Sequence, residues 1–290
     1  MTLQLTTRGS SRQARHAHPL GFTLIELVVV LVIIATIAGL VIPQIGGLGR
    51  SSDMAASAKT QADLANNLQL FFVLQKRFPQ GMDSLLDSTS QAIYASDTTD
   101  ANTQTRGLPY AGADGTRLQA QLTVSDIAAA SSASDPQWLR SLQRAGFDWV
   151  FDHDTSVINS NNSSAATPQR LLSSSPFKVA EVTGTYLISK LVPQAVMTSG
   201  TTTTIALPSD ERLVAFGVGP RMTAISKTMA NPPIYPGADG KYYGRYVAVF
   251  RIYASGERAQ LVGVIDSYGR TSDYTTQQFN ESLPNGGRQG

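Results

Sequence analysis

Few residues in this chain of 290 have catalytic or metal-binding chemistry to offer. There is no cysteine, which excludes a disulfide framework and a thiolate metal site. Of the three histidines, His16 and His18 fall near the N-terminus. The third, His153, sits in Asp152-His153-Asp154, the sharpest enzyme-like cluster of the chain. Neighbours on a strand point to opposite faces, so these three meet one metal only if the backbone curls around it. A polar strand end leading into a loop is the better reading. With one histidine outside the N-terminal segment, triads and zinc sites lack material. No Walker loop or dinucleotide fingerprint is present, and the chain is expected not to be an enzyme.

The residues that stand out lie near the N-terminus. Residues 22–42 form a run of 21 residues with one charge, Glu26. A helix of that length spans roughly 30 Å, the thickness of a bilayer core, so a transmembrane segment is expected there. Arg8, Arg12 and Arg15 precede it, with no acid among residues 1–21. By the positive-inside rule the leader is then cytoplasmic and the rest lies outside the inner membrane. Without the leader, 20 basic residues face 21 acidic ones, a net of −1. Such a body has no electrostatic footprint for nucleic acid.

An ordinary secretory signal would be cut near Thr36-Ile37-Ala38. Two features oppose that reading. An acid near the start of an apolar core costs roughly 2.5–3.5 kcal/mol. Gly21 also marks the boundary between the charged and apolar parts, where a signal peptidase does not cut. The stretch Gly21-Phe22-Thr23-Leu24-Ile25-Glu26-Leu27, leading into an unbroken apolar run, resembles the class III signal of the type IV prepilin and type II secretion pseudopilin family. The resemblance covers about 25 residues. It implies cleavage between Gly21 and Phe22 by a prepilin peptidase, N-methylation of Phe22, and a Glu26 carboxylate that pairs with the amine of a neighbouring subunit. It also implies as partners other pilin or pseudopilin subunits and an inner-membrane assembly platform. The residue types fit: Gly presents no side chain at a tight scissile site, and a carboxylate among packed apolar helices sets register only when paired.

Beyond the apolar run, Pro43 removes a backbone donor and leaves the carbonyl of Gly39 without its usual partner. Gly46, Gly47 and Gly49 weaken the helix further, so a bend is expected at Gly39 and Pro43. An amphipathic pattern then resumes through Met54, Ala58, Ala62, Ala65, Leu68 and Phe72, with Leu64 and Phe71 alongside. It stops at Arg77-Phe78-Pro79-Gln80-Gly81. The stretch from Arg77 to Leu86 resembles the turn by which pseudopilin chains leave their helix.

Residues 88–134 read as an irregular connection. A short helix is expected near 135–145, capped by Asp135, with Pro136 in its first turn and Gly146 as its stop. Strands are expected at 147–151, 178–183, 186–192, 213–218, 246–254 and 259–265, the last two flanking a turn at Ser255-Gly256-Glu257. Residues 159–167 and 198–204 read as low-complexity loops. The expected organisation is a leader over 1–21, a long helix over 22–78 with 22–42 transmembrane, and an irregular region over 79–145. A β-rich head over 146–282 and a loose tail over 283–290 complete it. The fold class is then α+β, a long N-terminal transmembrane helix packed on a mainly antiparallel sheet.

Gly237-Ala238-Asp239-Gly240-Lys241 resembles the opening of the C-terminal calcium loop of major pseudopilins. The resemblance implies calcium, with Asp239, Asp266 and Asp273 as the local acids. The chain departs from the pattern directly afterwards, at Tyr242-Tyr243-Gly244-Arg245-Tyr246, which holds no acid where calcium needs several oxygens. No other cofactor is expected.

The sequence is compatible with three function classes. The leading one is a structural subunit, minor or specialised, of a type IV pilus or type II secretion pseudopilus, single-pass in a bacterial inner membrane with its head periplasmic or extracellular. A tip subunit whose head binds a surface, DNA or a secreted substrate is the alternative, and a membrane-tethered enzyme with a pilin-type leader is the third.

Overall fold

The structure is a computed structural model. It describes residues 24–87, 90, 121–127, 132, 135–153, 168–170, 177–199, 202–236, 244–267, 269–273 and 276. The chain divides into two compact units between Leu48 and Gly49, within the glycine-rich stretch of the helix.

Helix α1 runs without a break from Leu24 to Gln75, through Gly39, Pro43 and the glycines at 46, 47 and 49. In the first unit the described side chains, 24–37, are apolar with few exceptions and are all exposed. Among the described residues, no helix is long and apolar enough to cross a membrane. The expectation of a transmembrane helix over 22–42 is corrected accordingly. The described apolar end amounts to roughly 21 Å of helix, against ~30 Å for a bilayer core.

The second unit is a mixed α/β domain built on a large sheet. Its strands are β1 (Asp83–Asp87), β2 (Leu122–Ile127), β3 (Trp149–His153), β4 (Pro168–Arg170), β5 (Phe177–Val182), β8 (Glu211–Gly217), β9 (Val247–Tyr253) and β10 (Gln260–Ile265). A separate hairpin joins β6 (Val196–Ser199) and β7 (Thr202–Ile205). The sheet runs β10-β9-β8-β1-β3-β4. It forks at β8, which also pairs with β5, and β5 in turn with β2. Most pairs are antiparallel, but β1 and β3 are parallel.

Both faces of this sheet are covered. Along β8 and β9, Val214, Phe216, Ala248, Phe250 and Ile252 enter one core. Leu213, Ala215, Val247 and Val249 enter the other. This is the period-two alternation of a strand, and the near-continuous apolar run 246–252 reflects burial on both sides. The first core is closed by Leu64, Leu68 and Phe71 of α1 and by helix α2 (Trp138–Arg144), with Phe78, Phe147 and Phe250 in mutual ring contact. The second is closed by helix α3 (Thr185–Leu191) and the 3-10 turn Pro193–Ala195.

Several sequence expectations need local correction. Residues 186–191 are helical, not a strand, and Val192 follows the helix. The first turn of α3 is held from a distance by Gln121, whose Oε1 accepts from Leu187 N at 3.3 Å and whose carbonyl accepts from Thr183 and Gly184. The 198–204 stretch lies largely within the β6–β7 hairpin, where threonines pair across strands. Helix α2 begins at Trp138, later than expected. Asp135 does not cap it, because its carboxylate accepts from Ser132 N at 2.9 Å. Strand β1 was hidden in the turn after α1. It carries a left-handed residue at Leu85 and a register shift opposite β3, which period-two counting does not anticipate. The 159–167 loop and the 283–290 tail lie outside the described residues.

Candidate assembly surface

At the N-terminal end of α1, Leu24, Ile25, Leu27, Val28, Val29, Val30, Leu31 and Val32 are all exposed, as are Ile33, Ile34 and Ile37. These positions do not fall on one stripe. They go round the helix, which distinguishes the arm from an amphipathic surface helix. Contiguous apolar area of this kind marks a surface that another apolar body covers. Glu26 stands in the first turn, where a carboxylate complements the unsatisfied amides of a helix start. Thr36, the arm's hydroxyl, is satisfied within the helix by the carbonyls of Val32 and Ile33 at 3.0 and 2.8 Å. Its proton is therefore spent inside the arm. Gly21 and Phe22 lie outside the described residues. Gly39 and Pro43 lie within continuous helix.

In the second unit, α1 attaches to the head along Ser57, Gln61, Leu64, Leu68 and Phe71, all buried. Of the expected stripe, Leu68 is fully buried on this line, Ala65 and Phe72 are partly buried and Ala62 is exposed. Counting apolar residues found Leu64, Leu68 and Phe71 and missed Ser57 and Gln61, because the N-terminal end of the face is polar. Lys76 ends the helix in a left-handed conformation, φ 57°, with its amide on the Phe72 carbonyl at 2.7 Å.

The acids considered for calcium are not brought together among the described residues. Asp239 lies outside them, and Asp273 is exposed. Asp266 is fully buried and engaged by Arg270. Its Oδ1 accepts from the Arg270 amide at 2.9 Å and its Oδ2 from Arg270 Nε at 2.8 Å. Arg270 NH2 donates to the Tyr235 hydroxyl at 2.6 Å, and the guanidinium lies over the Tyr235 ring. Burial alone would lower the Arg270 pKa. The Asp266 carboxylate and Tyr235 outweigh it and hold the pKa above its ordinary value. A cation thus already sits on Asp266, and it belongs to the chain. No group of three or more His, Cys, Asp or Glu among the described residues could hold a metal.

The Asp152-His153-Asp154 cluster is only partly described. Asp152 is buried on β3 and accepts from Ser84 Oγ at 2.6 Å. Ser84 Oγ in turn accepts from Leu86 N at 3.1 Å, so the pair braces the irregular strand β1. Sequence reasoning missed this partner and the Arg270 clasp alike. Ser84 and Arg270 carry no motif, and their contacts are set by strand pairing and by the turn at 266–270.

No family model and no solved structure matches the chain. Over 75 residues, a quarter of its length, it is 33% identical to the type II secretion system core protein G of Aeromonas hydrophila. The match spans about half of that relative, 52%. A part of the chain is therefore similar to a type II secretion protein.

Proposed function

We propose that this protein is a structural subunit of a pilin-type filament of the type II secretion pseudopilus kind. The observation that carries the proposal is the α1 arm, apolar all round and exposed, with Glu26 as its acid in the first turn. A lone chain gains nothing by exposing such a helix to water. Arms of neighbouring copies packed side by side would cover it, and Glu26 then meets the amine at a neighbour's N-terminus. The similarity to a type II secretion core protein supports the same reading. In this proposal a prepilin peptidase cuts after Gly21, the Phe22 amine is methylated, and an inner-membrane platform feeds subunits into the filament. The head faces the periplasm or the exterior. Its size suits a minor or specialised subunit. Intact-mass analysis of the protein from its native host tests this. The expected product starts at Phe22 and carries one added methyl group. A product starting at Met1 or Gly39 overturns it.

A further inference from the structure

The attachment of α1 to the head changes chemistry along its length. Leu64, Leu68 and Phe71 are buried in the apolar core. One turn earlier the buried positions are Ser57 and Gln61, packed near Tyr246 at the start of β9. Here hydrogen bonding is incomplete. Gln61 Nε2 makes only a long bond to Ser57 Oγ, 3.3 Å, and Gln61 Oε1 has no partner. The Tyr246 hydroxyl stands beside Ser57 and Thr60. It meets neither in hydrogen-bonding geometry and is also without a partner. Thr60 has given its own proton to the Ala56 carbonyl at 2.7 Å. Two fully buried polar groups, one on each side of the seam, therefore lack partners in the closed state. Both would be hydrated in an open one.

We infer that the seam between residues 54–61 of α1 and Tyr246 is a releasable latch, which opens to water while the apolar clamp at 64–71 stays closed. The inference rests on this seam alone and holds whatever the chain assembles with. The unpartnered groups lower the cost of local opening at 54–61, whereas the clamp must expose apolar surface to open. It places a compliant point in the helix–head attachment, within the second unit.

Hydrogen exchange on the full chain, read by mass spectrometry, tests it. In the wild-type protein, amides of 54–61 are expected to exchange at least about tenfold faster than those of 64–72. Tyr246→Phe and Gln61→Met delete the two unpartnered atoms at nearly constant volume. Together they are expected to bring the two segments within about threefold of each other. Unchanged protection over 64–72 shows that the variants are folded. Uniform wild-type protection across 54–72 overturns the inference. So does a gradient that survives both substitutions. Faster exchange at 54–61 in the variants also overturns it, because it would mean that a buried water satisfies both atoms and locks the seam.

Discussion

Replacing Arg270 by methionine leaves Asp266 buried with its charge and without its cation. The carboxylate is fully inaccessible, and the Arg270 side chain is 13% exposed. The substitution removes the Nε bond at 2.8 Å and the contact with Tyr235, but it keeps the backbone bond from residue 270 to Oδ1 at 2.9 Å. Breaking one side of a buried pair costs roughly 3–5 kcal/mol. The surviving amide bond puts the expected loss near the lower end, about 3 kcal/mol. Asp266→Asn is milder, about 1–2 kcal/mol, because Arg270 keeps the Tyr235 ring and can reach solvent. The double variant is expected to cost no more than about 3 kcal/mol, since its second change removes a pair already broken. Urea unfolding followed by the fluorescence of Trp138 and Trp149, the two tryptophans of the chain, reads all three. Additive losses, or an Arg270→Met loss below that of Asp266→Asn, would refute the view of this turn as an internally neutralised clasp.

Three further outcomes are expected. Glu26→Ala should leave processing after Gly21 intact and reduce incorporation into sheared filaments; normal incorporation contradicts the assembly role given to Glu26. Burial raises the Tyr246 pKa above its ordinary 10.0, so its contribution to stability is complete below pH 10 and falls as pH rises through the folded-state pKa. Tyr246→Phe should therefore flatten part of the alkaline loss of stability, measured by urea midpoints from pH 9 to about 11.5, and an unchanged slope speaks against it. Gly146→Ala should destabilise by at least about 1–2 kcal/mol. Gly146 has φ +95°, and an added Cβ would strike the Arg77 side chain, so an unshifted melting temperature would show that this turn relaxes freely.

Local signals determined a good deal by themselves. The part of the helix over 54–72 was legible because its pattern recurs at three and four residues, which no strand can satisfy. Strands β8, β9 and β10 were legible as apolar runs bounded by turn residues, with Gly256 at φ +74° where the sequence placed a turn. Gly21, Phe22 and Glu26 stood out as expectations because basic residues, a glycine and an acid at the edge of an apolar run form a short contiguous pattern. Tertiary structure decided what depends on contacts between distant residues. Residues 185–191 are a helix that buries Leu187 and Ile188 and whose first turn Gln121, far back in the chain, holds at the Leu187 amide. The buried face of α1 includes Ser57 and Gln61 because the helix packs there toward Tyr246, just before β9, and a count of apolar residues passes over polar positions. Asp266, read in sequence as one of three scattered acids, is clasped by Arg270 because the turn between them closes on itself, with the Asp266 amide on the Arg270 carbonyl at 3.0 Å. Sequence periodicity records what a segment prefers. Only the folded chain records which donor lies within reach of which acceptor.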